Sequence, residues 1–115
     1  MGIEPRAADG ATIVAAEDEP DVRRLLAFVL RRRGDTVLEA ADGAAALALI
    51  RRARPAVAGV DVRMPGLDGV AVTRALRADA ATRTMPVLLV SAAGQTTDVA
   101  ALAEAVARLL VGIDG

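Results

Sequence analysis

The sequence predicts an α/β fold, a parallel sheet wound on both faces by helices. Three observations carry that expectation. Short apolar runs alternate with longer segments of helical periodicity in the order βαβαβαβα. The short runs are continuously apolar, as strands covered on both faces require. Gly, Pro and Arg punctuate the segments where helices should begin and end. Strands separated by helices of this length pair in parallel through right-handed crossovers, which gives strand order 2-1-3-4(-5).

The elements follow in order. Ile13-Val14-Ala15-Ala16 reads as a buried strand closed by acids. From Pro20 to Arg33 the apolar residues Val22, Leu25, Leu26 and Val29 recur at helical spacing. Pro20 suits a first helical turn, Arg31, Arg32 and Arg33 suit a last one, and Gly34 stops the helix. Thr36-Val37-Leu38 is a second strand; Asp42-Gly43 opens an alanine-rich helix to about Arg54, which Pro55 breaks. Val57 to Asp61 is a third strand, Gly69 to about Arg77 a third helix, and Val87 to Val90 a fourth strand. Thr97 to Leu110 is the last periodic segment, with Val99, Leu102, Val106 and Leu109 on one face.

Composition bounds the chemistry. The 115 residues amount to one domain, with residues 1–11 expected as a tail and 12–115 as the domain. Apolar residues make up 54% and the net charge is -1, which disfavours a nucleic-acid surface. With no Cys and no His, thiolate sites, His-ligated zinc and a Ser-His-Asp triad are excluded. Any metal must be a hard cation held by oxygen donors. No apolar run approaches the roughly 20 residues that span a bilayer, so a cytoplasmic setting and no membrane contact are expected. All fourteen basic residues are Arg; the sequence contains no Lys.

Function collects beyond the carboxyl ends of the strands, where strand order reverses. Glu17, Asp18 and Glu19 follow the first strand and Asp61 ends the third, its neighbour across that point. Glu17, Asp18 and Asp61 would converge there, and three adjacent carboxylates repel unless a cation joins them. Mg2+ is the economical choice. Glu19 is assigned instead to capping the following helix.

At these residues the chain resembles the receiver domain of two-component response regulators, a flavodoxin-like fold. The resemblance rests on Glu17-Asp18-Glu19-Pro20-Asp21-Val22-Arg23 and on Asp61-Val62-Arg63-Met64-Pro65-Gly66-Leu67-Asp68-Gly69. Ala41-Asp42-Gly43-Ala44-Ala45-Ala46-Leu47 and Met85-Pro86-Val87-Leu88-Leu89-Val90-Ser91-Ala92 support it. It implies that Asp61 accepts a phosphoryl group from a sensor histidine kinase or phosphotransfer protein. Glu17, Asp18, Asp61 and the Arg63 backbone carbonyl would hold Mg2+, and Ser91 would be the switch hydroxyl. Glu17 stands where the family more often has Asp.

Three departures from the family pattern set up the alternative. The family's Lys, near Gly112 or Ile113 here, is missing; so is the aromatic of the fifth strand, where Leu109 or Leu110 stands; and no sequence remains for a fifth helix. Arg108 or Arg63 is the candidate to substitute for that Lys, although neither stands at the matching position. Val106 replaces the expected turn glycine, so the last helix is expected to run to about Leu110 and the fifth strand to be frayed or absent. The fourth strand would then be an apolar edge, favouring a homodimer through that strand or through exchange of the C-terminal segment. The alternative function is a pseudo-receiver, a binding or dimerisation module that works without phosphorylation. A haloacid-dehalogenase-like phosphatase is disfavoured, because Arg63 stands where its second Asp would be.

Overall fold

The computed structural model describes residues 11–90. Within them the elements are β1 (Thr12–Ala16), α1 (Pro20–Arg32), β2 (Thr36–Ala40), α2 (Gly43–Ala53), β3 (Val57–Asp61), α3 (Gly69–Ala78) and β4 (Val87–Val90). The sheet order is β2-β1-β3-β4 and every pairing is parallel, as expected from the sequence. The 97–110 helix, the fifth strand, Ser91, Arg108 and the position of the missing Lys lie outside the described residues.

The two-residue period of a strand divides β1 between two cores. Ile13 and Ala15 pack with Leu26, Ala27 and Leu30 of α1. Val14 and Ala16 pack on the opposite face with Ala46 and Ile50 of α2 and with Val72 and Leu76 of α3. β3 is buried along its whole length, which is why it reads as an apolar run. β4 pairs only with β3 among the described residues, and Leu89 is 41% exposed.

The buried stripe of α1 is rotated from the expected one. Leu26, Ala27 and Leu30 are buried, Val22 and Val29 are half-buried, and Leu25 is 50% exposed. Residues 26 and 30 share a face at i, i+4 spacing, and the small Ala27 lets α1 approach the sheet closely; Leu25 falls on the flank.

Helix ends follow the local chemistry. Gly34, with φ of 97°, takes the left-handed conformation that ends α1. α2 ends without a glycine: Arg54 adopts φ of 50° and its N–H donates to the Ile50 carbonyl. Asp42 caps α2, its side chain accepting from the Ala45 N–H at 2.8 Å. Asp42→Ala is expected to cost about 1 kcal/mol, read as a lower urea midpoint at unchanged slope.

Candidate functional site

Three loops meet at the carboxyl end of the sheet. The β1–β3 register pairs Ala16 with Val60, which brings the residues that follow, Glu17 and Asp61, side by side. The Glu17 N–H donates to the Ala40 carbonyl at 3.0 Å, extending the β1–β2 ladder one residue past β1. Asp18 is the next residue along this turn. One carboxylate oxygen from each of Glu17, Asp18 and Asp61 lies within 4.8 Å of the others, so the three expected acids do converge. Glu17 and Asp61 are only 8% and 7% exposed, whereas Asp18 faces solvent.

This burial has an electrostatic consequence. The Glu17 carboxyl is pushed up from 4.5 to about 7, chiefly because burial disfavours its charged form. The Asp61 and Asp18 charges and a hydrogen bond with Asp61 push the same way, while the Glu19 N–H opposes them. That N–H donates to Glu17 Oε2 at 3.1 Å. Glu19 therefore has a different role from the one expected. It occupies the N-cap position of α1, but its side chain makes no cap bond; its backbone serves the Glu17 carboxylate instead. Pro20 at the first helical position removes one donor that a cap would otherwise satisfy.

The β3–α3 loop shapes the other wall. The Arg63 N–H donates to Asp61 Oδ1 at 3.1 Å and holds the carboxylate in place. Met64 is buried in the core of the α2 and α3 face, anchoring the loop. Gly66, with φ of +73°, takes the left-handed backbone conformation that this tight turn requires. The loop is closed by a bond from the Gly69 N–H to the Val62 carbonyl at 3.1 Å. Asp68 caps α3 through the Ala71 N–H at 2.9 Å. Asp18, Val62, Arg63, Met64, Pro65 and Asp68 line an open cleft of ≈ 450 Å³ beside the acids, with Asp18 as the member they share. Arg63 is exposed at this cleft. Ser91 follows Val90, the residue paired with Asp61 in the sheet, and lies outside the described residues.

Two features escaped the sequence. Arg23 reaches back from α1 to donate from Nη1 to the Glu17 carbonyl at 2.7 Å. Gly43 and Gly69, read only as helix openers, stand where backbones approach closely: a Cβ on Gly69 would lie 2.5 Å from the Asp61 carbonyl oxygen. The signal available was the Asp-Gly pair at 42–43 and again at 68–69, which marks a cap and does not reveal the close neighbour.

A parallel sheet of order 2-1-3-4 with acids converging at its switch point is the arrangement of a flavodoxin-like receiver domain. The model of the response regulator receiver domain matches residues 13–111, and the chain belongs to that family. Protein PilH of Pseudomonas aeruginosa is 39% identical over 88 residues, which are 76% of this chain and 73% of that protein. The DNA-binding response regulator MtrA of Mycolicibacterium smegmatis is 34% identical over 87 residues, 76% of this chain but 37% of MtrA. DNA binding is thus named for a protein of which this chain spans little more than a third. Among solved structures, a putative response regulator from Chloroflexus aurantiacus aligns with a TM-score of 0.80 and 27% identity, covering 89% of this chain and 98% of that one. MtrA and the Chloroflexus protein are both named as response regulators. No helix among the described residues is long and apolar enough to cross a membrane.

Proposed function

We propose that this chain is a Mg2+-dependent phosphorelay receiver, taking a phosphoryl group onto Asp61 from the phosphohistidine of a cytoplasmic histidine kinase or phosphotransfer protein. The observation that carries the reading is the convergence of Glu17, Asp18 and Asp61, with Asp18 on the wall of an open cleft. The donor set fits a hard cation. All the side chains are carboxylates, two are buried, and Glu17 is pushed up to about 7 when no cation balances the charge. Glu17, Asp18, Asp61 and the Arg63 carbonyl would hold the ion. When bound, it would neutralise the oxygens of the phosphoryl group in transfer.

The chain's own residues do the rest. An Asp61 carboxylate oxygen attacks phosphorus, forming an O–P bond as the N–P bond to the donor imidazole breaks; the leaving nitrogen keeps the electron pair. The Arg63 N–H fixes the orientation of the attacking carboxylate. Met64 and Pro65, at the start of the Met64-Pro65-Gly66 turn, form part of the cleft wall. Ser91 is the hydroxyl that would bond the transferred group, and the product would signal by binding a partner. No histidine base is required, so a chain without His can perform the step.

The absence of Lys favours a second reading, in which the pocket does not switch and the chain acts as a pseudo-receiver. Without that cation the phosphoryl oxygens gain fewer new contacts, and a ligand shifts an equilibrium only by its differential affinity. Incubation with acetyl phosphate, followed by intact mass, separates the two. The receiver reading predicts the mass of one phosphoryl group gained with Mg2+ and none with a chelator. Unchanged mass in both leaves the pseudo-receiver.

A further inference from the structure

We propose that Arg23 is a positioning residue for the acidic pocket, bracing the Glu17 main chain and so setting how tightly the pocket takes a divalent cation. The inference rests on the reading of Glu17 as a cation ligand. Glu17 follows the last residue of β1, at the start of the turn into α1, past the regular strand ladder. Its N–H is tied to the Ala40 carbonyl at 3.0 Å. Its carbonyl receives Arg23 Nη1 at 2.7 Å, one of the two shortest side-chain bonds among those described. The second edge of the same guanidinium faces β2: Arg23 Nε lies 3.5 Å from Glu39 Oε1.

Glu39 is itself held. Its Oε2 meets Arg31 Nη1 at 3.1 Å, and Arg31 Nη2 donates to the Val37 carbonyl at 2.7 Å. The row Arg31–Glu39–Arg23 therefore runs from the sheet surface to the Glu17 carbonyl. Arg23 is the most enclosed member, with its side chain 17% exposed. A planar guanidinium can serve a carbonyl and a carboxylate at once, which a point charge cannot do as well. Partners that orient a metal ligand without touching the ion commonly change affinity by one to two orders of magnitude.

Two other roles for Arg23 make different predictions. A surface ion pair with Glu39 would add a little stability and leave cation affinity alone. A bare positive charge near the pocket would oppose a second cation, so removing it would tighten binding. A brace predicts the opposite sign. Glu39 also offsets the guanidinium charge, which keeps the brace from repelling the ion.

The test is Mn2+ binding to the full chain, followed by the spectroscopic signal of free Mn2+, with far-UV circular dichroism as the check on folding. Arg23→Ala is expected to bind about tenfold more weakly than the parent. Arg23→Lys, which keeps a donor for the Glu17 carbonyl, is expected within about threefold of the parent. Unchanged or tighter binding by Arg23→Ala overturns the proposal, as does a Lys variant no better than the Ala variant. Should Arg23→Ala not fold, Arg23→Met decides: it keeps the aliphatic stem but has no donor for the Glu17 carbonyl, so about tenfold weaker binding is expected, and unchanged or tighter binding overturns the brace. A parent chain that takes up no Mn2+ overturns the cation reading and this inference together, whereas binding that is indifferent to Arg23 overturns the inference alone.

Discussion

Gly43→Ala should destabilise the fold by about 3 kcal/mol, the upper end of the usual cost of overpacking. A Cβ at position 43 would overlap the Leu67 carbonyl oxygen and press on the Leu67 carbonyl carbon at 2.8 Å. Both are backbone atoms, so no rotamer change relieves the clash. Helix propensity alone predicts the opposite sign, since Ala is favoured over Gly by about 1 kcal/mol within a helix. The two effects are therefore separated by direction. Gly59→Ala is the matched control: its Cβ would meet nothing within 4 Å, so that change should be neutral or stabilising. Urea unfolding followed by circular dichroism reads both, because the chain has no Trp. A Gly43→Ala loss below about 1 kcal/mol would show that the Leu67 loop yields freely. The consequence extends to function, because Leu67 leads directly into the Asp68 cap and the wall of the cleft.

Glu17 gives the second large effect, through pH. Its folded value of about 7 lies above its ordinary 4.5, so the native state holds a proton that the unfolded chain has released across that window. Stability from this group is then highest below about pH 4.5, falls as pH rises, and is fully lost above about 7. Without divalent cations, Glu17→Gln should therefore be the more stable protein at pH 8, by about 1–2 kcal/mol once the reach of solvent into the open cleft is allowed for. At pH 4.5 the advantage should vanish. Mg2+ reverses the order at high pH, because a ligand that binds only the native state stabilises it and the Gln variant lacks the charge to bind it. Thermal unfolding at the two pH values, with Mg2+ and with a chelator, gives all four comparisons. Equal melting temperatures for parent and variant at pH 8 without Mg2+ would contradict the account.

The parts that were legible in sequence are those with a short-range cause. Strands β3 and β4 fall within the expected residues because a short apolar run that begins just after a Pro and ends at a polar residue, Asp61 or Ser91, can end in few other places. The meeting of Glu17 with Asp61 followed from parallel order alone, since adjacent parallel strands bring their carboxyl ends together. Local pattern failed where a third dimension decides. Leu25 and Leu26 look alike in sequence, and only the angle at which α1 sits on the sheet buries one and exposes the other. Glu19 looks like a cap, but its side chain makes no cap bond and its N–H donates to the Glu17 carboxylate, a neighbour that only the folded turn supplies. The Arg23 brace depends on a guanidinium crossing from helix to turn, a reach that no spacing rule encodes.

The most direct test of the central claim is to find where a phosphoryl group goes. After Mg2+ and acetyl phosphate treatment, borohydride reduction converts an aspartyl phosphate to homoserine, which peptide mass mapping can locate. Phosphoryl transfer to Asp61 gives homoserine at position 61 alone, and none in Asp61→Asn. Reduction at Asp18 or Asp68, or at no residue under conditions where Mg2+ binds, would contradict it.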